Sequence, residues 1–343
     1  MYNAEKEIFN QFSSLNNTVE YLYEAKEKIS NFFNGRKKVV FIGSGSSYSI
    51  AKSASVILEL RTDIKTVAVS SGDLLVNFNK YKKLLRTSSI VTISRSGSTS
   101  ELVYSVKKAK QELNCSILSL CAREKSEISK YSDLTFELPW AFDESVCQTQ
   151  TVSNLYIGCT LINAIIGNDT QLQNEVSNVA KDADFFKEKY LEQLSEIGKK
   201  GFNYGIILGE NEIAGICEEG ALAFKEICQL NSNHYPVLDV RHGPMVKIDK
   251  DTLVILTVDK YDERIIKLVK DIKAKGSYCL TIGMFDEDMS SDWHIEIPKF
   301  LNLCVSAVYM LFCIQVITLN KAISLGINPD APDGLDAWID LEK

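Results

Sequence analysis

The chain has 343 residues, 45% of them hydrophobic and 24% charged, the balance of a folded globular protein with room for two domains of about 150 residues. Its formal charge of −7 and pI near 5.3 argue against nucleic acid or an anionic membrane surface as the main partner. An anionic ligand would need a locally built site rather than the overall field.

Residues 1–36 read as helical, with Ile8, Phe9, Phe12, Leu15 and Val19 at helix-compatible spacing. Their polar start lacks the apolar core of a signal peptide, so a cytoplasmic protein is expected. Strand-like runs follow at Lys38–Ile42, Lys65–Ser70, Ser89–Ser94, Ser116–Cys121 and Leu134–Leu138, with helical patterns between most of them. That alternation is the signature of a parallel α/β sheet. A long helical stretch from Thr149 to Lys199 separates it from a second set of strands at Tyr204–Gly209, His234–Leu238, Thr252–Val258, Tyr278–Gly283 and His294–Ile297. The order strand, glycine turn, small-residue helix recurs in both halves ("KVVFIGSGSSYSIAKSASVILEL" and "YGIILGENEIAGICEEGALAFKE"), which implies a duplicated doubly wound unit.

The expected organisation is a helical segment at 1–36, a first α/β domain at 37–165, a linking helix at 166–200, a second domain at 201–325 and a tail at 326–343. The tail, "GINPDAPDGLDAWIDLEK", is rich in turn formers and acids and is expected to fold back over the site. Phe300 to Leu319 carries no charge over twenty residues, long enough to span a bilayer. Asn302, Ser306, Gln315 and Thr318 interrupt it and no second such segment exists, so a buried core helix is the better reading. The nine cysteines form neither a CxxC pair nor a Cys/His cluster at metal spacing, and read as small buried hydrophobes in a reducing compartment.

Two stretches carry the chemistry. In "VVFIGSGSSYSI", Gly43 and Gly45 turn the chain out of a buried strand, and Ser44, Ser46 and Ser47 sit where the next helix opens its unpaired N–H groups. The loop lacks both GK[ST] and the third glycine of GxGxxG, and alone it would be a tight turn with capping serines. "IVTISRSGSTSEL" repeats the design: strand, hydroxyl-rich glycine turn, helix. Two such turns at the carboxyl edge of one parallel sheet form a phosphate cradle built from neutral donors. In the second half, Glu219 and Glu226 are seven apart and share a helix face. Of the three histidines, His234 and His294 fall in strands and read as structural. His242, between Arg241 and Gly243-Pro244, is on a loop.

The pair "GSGSSYS" and "SRSGSTSE" resembles the sugar isomerase (SIS) domain signature of phosphosugar-binding proteins, over most of residues 37–335 and in two SIS units. The resemblance implies two tandem SIS-type doubly wound parallel sheets flanked by helices. Its nearest branches are the isomerase half of glucosamine-6-phosphate synthase, the galactosamine-6-phosphate deaminase/isomerases and the fructosamine-6-phosphate deglycases. By motif it places phosphosugar contacts at Ser46, Ser47, Ser94, Arg95, Ser96 and Thr99, with Ser44 and Thr149 as further candidates and Glu219 beside them. Arg95 stands where the synthase has glutamine, and could reach the phosphate or cover the helix end. "EGAL..KE" followed by "HGP" resembles the catalytic segment, which makes Glu226 the group moving a proton between C1 and C2. His242 then opens the ring or protonates the leaving amine, roles that suit a carboxylate and a group titrating near neutrality.

The resemblance also implies a homodimer in which His242 is contributed across the interface. It implies no metal or redox cofactor. Departures from the synthase are Ala337 at its C-terminal lysine, Asp333 at an expected arginine and Ala223 at its helix lysine, and no glutaminase part is expected. They favour the deaminase and deglycase branches, and between these "VRHGP" and the "NPDAP" tail resemble the galactosamine-6-phosphate group, which implies aldose–ketose isomerisation coupled to deamination of an amino-substituted hexose 6-phosphate. A deglycase releasing an amino acid is the alternative, and a non-catalytic phosphosugar sensor the reading from another class. Neither a nucleic-acid nor a membrane partner is expected.

Overall fold

The computed structural model describes residues 1–341. The chain divides into two compact units, one of residues 9–180 together with 336–341, the other of residues 1–8 and 181–335. Helix α1 (Asn3–Glu24) begins in the second of these and continues into the first.

In the first unit, α1 and α2 (Lys26–Phe33) precede β1 (Lys38–Gly43), α3 (Ser46–Arg61), β2 (Lys65–Ser70), α4 (Ser71–Leu85), β3 (Ser89–Ser94) and α5 (Ser100–Leu113). Strand β4 (Ser116–Cys121), β5 (Leu134–Glu137), α6 (Gln150–Ile166) and α7 (Thr170–Ser177) complete it. The five strands are all parallel, in the order β2-β1-β3-β4-β5. Every residue of β3 is buried, as in a strand covered by helices on both faces, whereas the edge strand β2 is mostly half-exposed. The chain reverses its winding between β1 and β3, which pair from Val39↔Ser89 to Ile42↔Thr92. In an open doubly wound sheet this reversal leaves a crevice beyond the carboxyl ends of the two strands. The serine-rich turns leave the sheet at that point.

Small residues let α3 lie close to the sheet. A Cβ on Gly43 would stand 2.4 Å from the carbonyl oxygen of Ser47, so only glycine allows the helix to begin so near its own strand. Helix α6 is buried along nearly its whole length, and Asn154 on it finds partners on α1. The amide of Asn154 donates to Ser14 Oγ at 2.7 Å and accepts from Thr18 Oγ1 at 2.6 Å, so the polar atoms carry no desolvation debt. The expected helical stretch from Thr149 is broken after α6, where Asn168 takes a left-handed φ of 52° and Asp169 caps α7 by accepting from Leu172 N.

The second unit repeats the plan with α8 (Ala183–Gly198), β6 (Tyr204–Leu208), α9 (Ala214–Glu226), β7 (Asn231–Tyr235), β8 (Thr252–Val258), α10 (Glu263–Lys273), β9 (Tyr278–Gly283), β10 (Trp293–Glu296) and α11 (Leu303–Leu325). Its strand order, β10-β9-β8-β6-β7, is that of the first sheet read from the other edge, and all pairs are parallel. The strand expected at His234–Leu238 lies earlier, at Asn231–Tyr235, because Pro236 has no N–H for the ladder and ends it. Helix α11 is long and apolar enough to cross a membrane, but 89% of that stretch is buried inside the protein. Each buried Val, Leu, Ile or Phe on it contributes about 1.5–3 kcal/mol. Asp330 caps the start of α1, its carboxylate accepting from Asn3 N at 2.9 Å and Ala4 N at 2.8 Å.

Candidate active site

The two turns at the β1/β3 crevice are built by local hydrogen bonds. Gly45 takes a φ of 52° and Gly97 one of 59°, conformations that L side chains rarely adopt. Gly97 N donates to Ser94 Oγ at 2.9 Å, and Ser98 N donates to Ser96 Oγ at 3.2 Å. Both hydroxyls accept from backbone and so keep their own hydrogens to offer elsewhere. Ser44 Oγ pairs with Ser71 Oγ. Between the turns lies a cavity of about 30 Å³ bordered by Ser44, Ser47, Ser94, Arg95, Ser96 and Thr99. Gln148 also borders it, and Ala337 and Trp338 of the C-terminal stretch close it. Six of the sequence-expected residues are thereby brought together. Ser46 opens α3 and is buried without bordering the cavity. Thr149 is fully buried, its hydroxyl donating to Asp143 Oδ1 at 3.0 Å.

Arg95 is 4% exposed, and its guanidinium is engaged with carbonyls. One terminal nitrogen donates to Ser145 O at 3.1 Å and Val146 O at 2.9 Å, and the other donates to Ala337 O. It thus ties the segment between β5 and α6 to the C-terminal stretch. Ser100 strengthens the tie, its N–H donating to Ile339 O at 3.3 Å and its hydroxyl accepting from Leu341 N at 3.1 Å. The Arg123 guanidinium lies 5.7 Å from the centre of the Trp338 ring, within cation–π range. Beside the cradle, and sharing Ala337 and Trp338 with it, is a larger cavity of about 630 Å³ bordered by Arg123, Phe142 and Glu144.

Two residues without an individual role in the sequence analysis belong to this region. Asp143, 2% exposed, accepts from Thr149 N, Thr149 Oγ1, Gln150 N and Thr151 N at 2.8–3.2 Å, capping the start of α6. An acid a few residues before a Thr-Gln-Thr helix start was its signal. Gln148, next to the cap, gave none.

In the second unit, Glu219 and Glu226 lie on α9, Glu219 being 2% exposed and Glu226 half-buried at the last turn. Loss of solvation holds the Lys225 ammonium below its ordinary pKa, opposed by the Glu218 and Glu226 carboxylates. His242 follows a short 3-10 turn, Asp239–Arg241, and is exposed, with no side-chain hydrogen bond among the described residues. The other two histidines are tied into the fold. His234 Nε2 lies 2.7 Å from Gly209 O, while His294 bridges Thr281 Oγ1 at 2.8 Å and Phe285 O at 2.6 Å. No group of three or more His, Cys, Asp or Glu is placed to hold a metal ion among the described residues.

The family model for the SIS domain matches residues 32–158, the segment that contains both serine turns. Over 98% of its length the chain is also similar to isomerizing glutamine–fructose-6-phosphate aminotransferases, 27% identical to that of Sulfolobus acidocaldarius and 23% to that of Shewanella oneidensis. It spans 56–58% of the length of these relatives. Among solved structures it is similar to a glucosamine-6-phosphate deaminase from Thermotoga maritima, at 26% identity and a TM-score of 0.83, covering 98% of this chain and 99% of that one. It shares its fold, with a TM-score of 0.86 at 20% identity, with tagatose-6-phosphate ketose/aldose isomerase from Escherichia coli, covering 98% and 97%. The matched segment thus sits within a chain whose fold these two solved structures share over 98% of its length.

Proposed function

We propose that this chain is a phosphosugar isomerase acting on an amino-substituted hexose 6-phosphate, with isomerisation coupled to deamination. The observation that carries the reading is the hydroxyl-lined cavity at the β1/β3 crevice of the SIS domain, where Ser47, Ser94, Ser96 and Thr99 present neutral donors to an anion. The relatives support it: one is a glucosamine-6-phosphate deaminase, another a ketose/aldose isomerase.

In this reading His242 opens the pyranose ring by moving the proton of the C1 hydroxyl toward the ring oxygen. Glu226 takes the C2 proton of the open aldose and returns it to C1. The electron pair left at C2 passes through an enolamine, and reprotonation at C1 leaves an imine at C2. Addition of one water to that imine, with a proton delivered to nitrogen, releases ammonia and a ketose 6-phosphate. A homodimer in which His242 of the partner subunit completes each site belongs to the same reading, as does a cytoplasmic setting.

A second reading has one observation in its favour. The cavity of about 630 Å³ beside the cradle gives space for an amino-acid substituent on the sugar, with Arg123 able to meet its carboxylate. That substrate would make the protein a deglycase.

The test offers glucosamine-, galactosamine- and fructosamine-type 6-phosphates to purified protein and follows ammonia and amino acid. Ammonia release that falls by about 10²–10⁴ in Glu226→Gln supports the deaminase. Amino acid release instead selects the deglycase. Hexose phosphate binding without turnover refutes both in favour of a sensor.

A further inference from the structure

The cradle offers almost only donors, with one exception. Ser94 and Ser96 accept from backbone N–H groups and keep their hydroxyl hydrogens for the cavity. Such groups suit a phosphate, whose oxygens accept. Gln148 borders the same cavity, and its side-chain carbonyl oxygen is buried without any hydrogen-bond partner. A buried acceptor left unpaired is costly, and a ligand that donates to it recovers that cost on binding.

Ser53, Ser89, Glu101 and Asn163 also hold buried oxygens without partners, but they lie within α3, β3, α5 and α6 respectively and none of them borders the cavity. Gln148 is on an irregular segment that the surroundings fix at both ends. Asp143 clamps the residues that follow it, through Thr149, Gln150 and Thr151. Arg95 holds the carbonyls of Ser145 and Val146 before it. The amide is therefore presented by a braced loop, as a discriminating contact needs.

We infer that Gln148 is a specificity-determining residue that accepts a hydrogen bond from an O–H or N–H group on the sugar while the serine turns hold the phosphate. The inference rests on the phosphosugar reading and narrows it. The ligand must carry an anionic end and, within reach of the same cavity, an O–H or N–H donor on a carbon skeleton set apart from the phosphate, which inorganic phosphate lacks. Both a sugar hydroxyl and a sugar ammonium have that chemistry.

The test measures binding of inorganic phosphate, glucose 6-phosphate and glucosamine 6-phosphate to the full chain and to Gln148→Leu. Loss of one such hydrogen bond should raise the Kd of at least one sugar phosphate about tenfold and leave that of inorganic phosphate unchanged. If the amine is the donor, only glucosamine 6-phosphate weakens in Gln148→Leu, and Gln148→Glu, which keeps the acceptor and adds charge, shifts the preference toward it. If a shared hydroxyl is the donor, both sugar phosphates weaken alike. Equal weakening of phosphate and sugars would overturn the inference, because the amide would then serve the anion or the loop as a whole. Unchanged affinities for all three would overturn it too. Binding of inorganic phosphate but of neither sugar phosphate by the unaltered chain would instead refute the phosphosugar reading on which the inference stands.

Discussion

Replacing Arg95 by leucine separates two roles that this position can play in the cradle. As observed, the guanidinium serves three carbonyls, of which Ser145 O and Val146 O belong to the segment braced by Asp143. Hydrogen bonds from a charged donor contribute about 1.5–3 kcal/mol each, so these two sum to about 3–6 kcal/mol gross. Removing the cation also removes the cost of burying it, which brings the expected net loss to about 3 kcal/mol. The third acceptor, Ala337 O, belongs to the C-terminal stretch and regains its bond from water once released. For a unit of this size, about 3 kcal/mol lowers Tm by about 6–12 °C. Arg95→Lys should recover little, since a point-like ammonium cannot span carbonyls on two segments as a planar fork does. The assay is thermal unfolding of the three chains, paired with limited proteolysis and with Trp338 emission, which should shift as the chain end leaves Arg123. An unchanged Tm and chain end, together with lost phosphate affinity, would refute this account and make Arg95 a phosphate ligand.

Asp143→Ala removes four bonds at the start of α6 and should cost about 2 kcal/mol in urea unfolding, the upper end of the capping range, with Asp143→Asn losing about half of that. In Gly97→Ala a left-handed φ of 59° combines with a new Cβ only 2.5 Å from Ser126 Cβ, so a loss of at least about 2 kcal/mol and of phosphate binding is expected by calorimetry. Gly72→Ala is its control: the nearest atom to a Cβ there is 3.9 Å away, and both properties should survive. All nine cysteines are buried thiols, and burial pushes Cys121 up to about 11 and Cys217, Cys228 and Cys279 up to about 12. Mass spectrometry after alkylation at pH 8 should find these four unmodified in the native protein and modified in denaturant.

The core strands were legible because they are buried on both faces and read as unbroken apolar runs. Thr252–Val258 and Ser89–Ser94 have in the structure the bounds that their sequence suggests. Strand β7 was misplaced for the opposite reason: as an edge strand of Asn, Ser and His it carries no hydrophobic signal, and Pro236 marks its end rather than its interior. The serine turns could be found because glycine and hydroxyl spacing is a local property. Gln148 and Asp143 could not be assigned roles, because their parts in the site follow from contacts with α6 and the cavity that no local pattern records. Arg95 shows the limit most plainly: a cation in a phosphate loop suggests an anion, yet its carbonyl partners come from residues 50 and 242 positions away in the chain.

The duplicated sheet carries two different chemistries at its carboxyl edges. After β1 and β3 the chain offers serine and threonine, with Arg95 committed to carbonyls, and after β6 and β8 it offers Glu210, Glu212, Asp259 and Asp262, with Lys260 among them and Arg264 paired to Asp262. A phosphate brought to the second edge would meet carboxylates of its own sign, and the loop geometry that both copies inherit cannot offset that repulsion. In the proposed reading the anion is therefore held in one copy only. Freed from that task, the second copy places carboxylates on the helix after its first strand, with Glu219 buried and Glu226 at the helix end, and sets His242 on an exposed turn without a side-chain partner among the described residues. In the first copy the corresponding helix, α3, carries serines and alanines over its buried length. Duplication fixed the scaffold, and the divergence in charge at its two edges supports giving phosphate to one copy and proton transfer to the other.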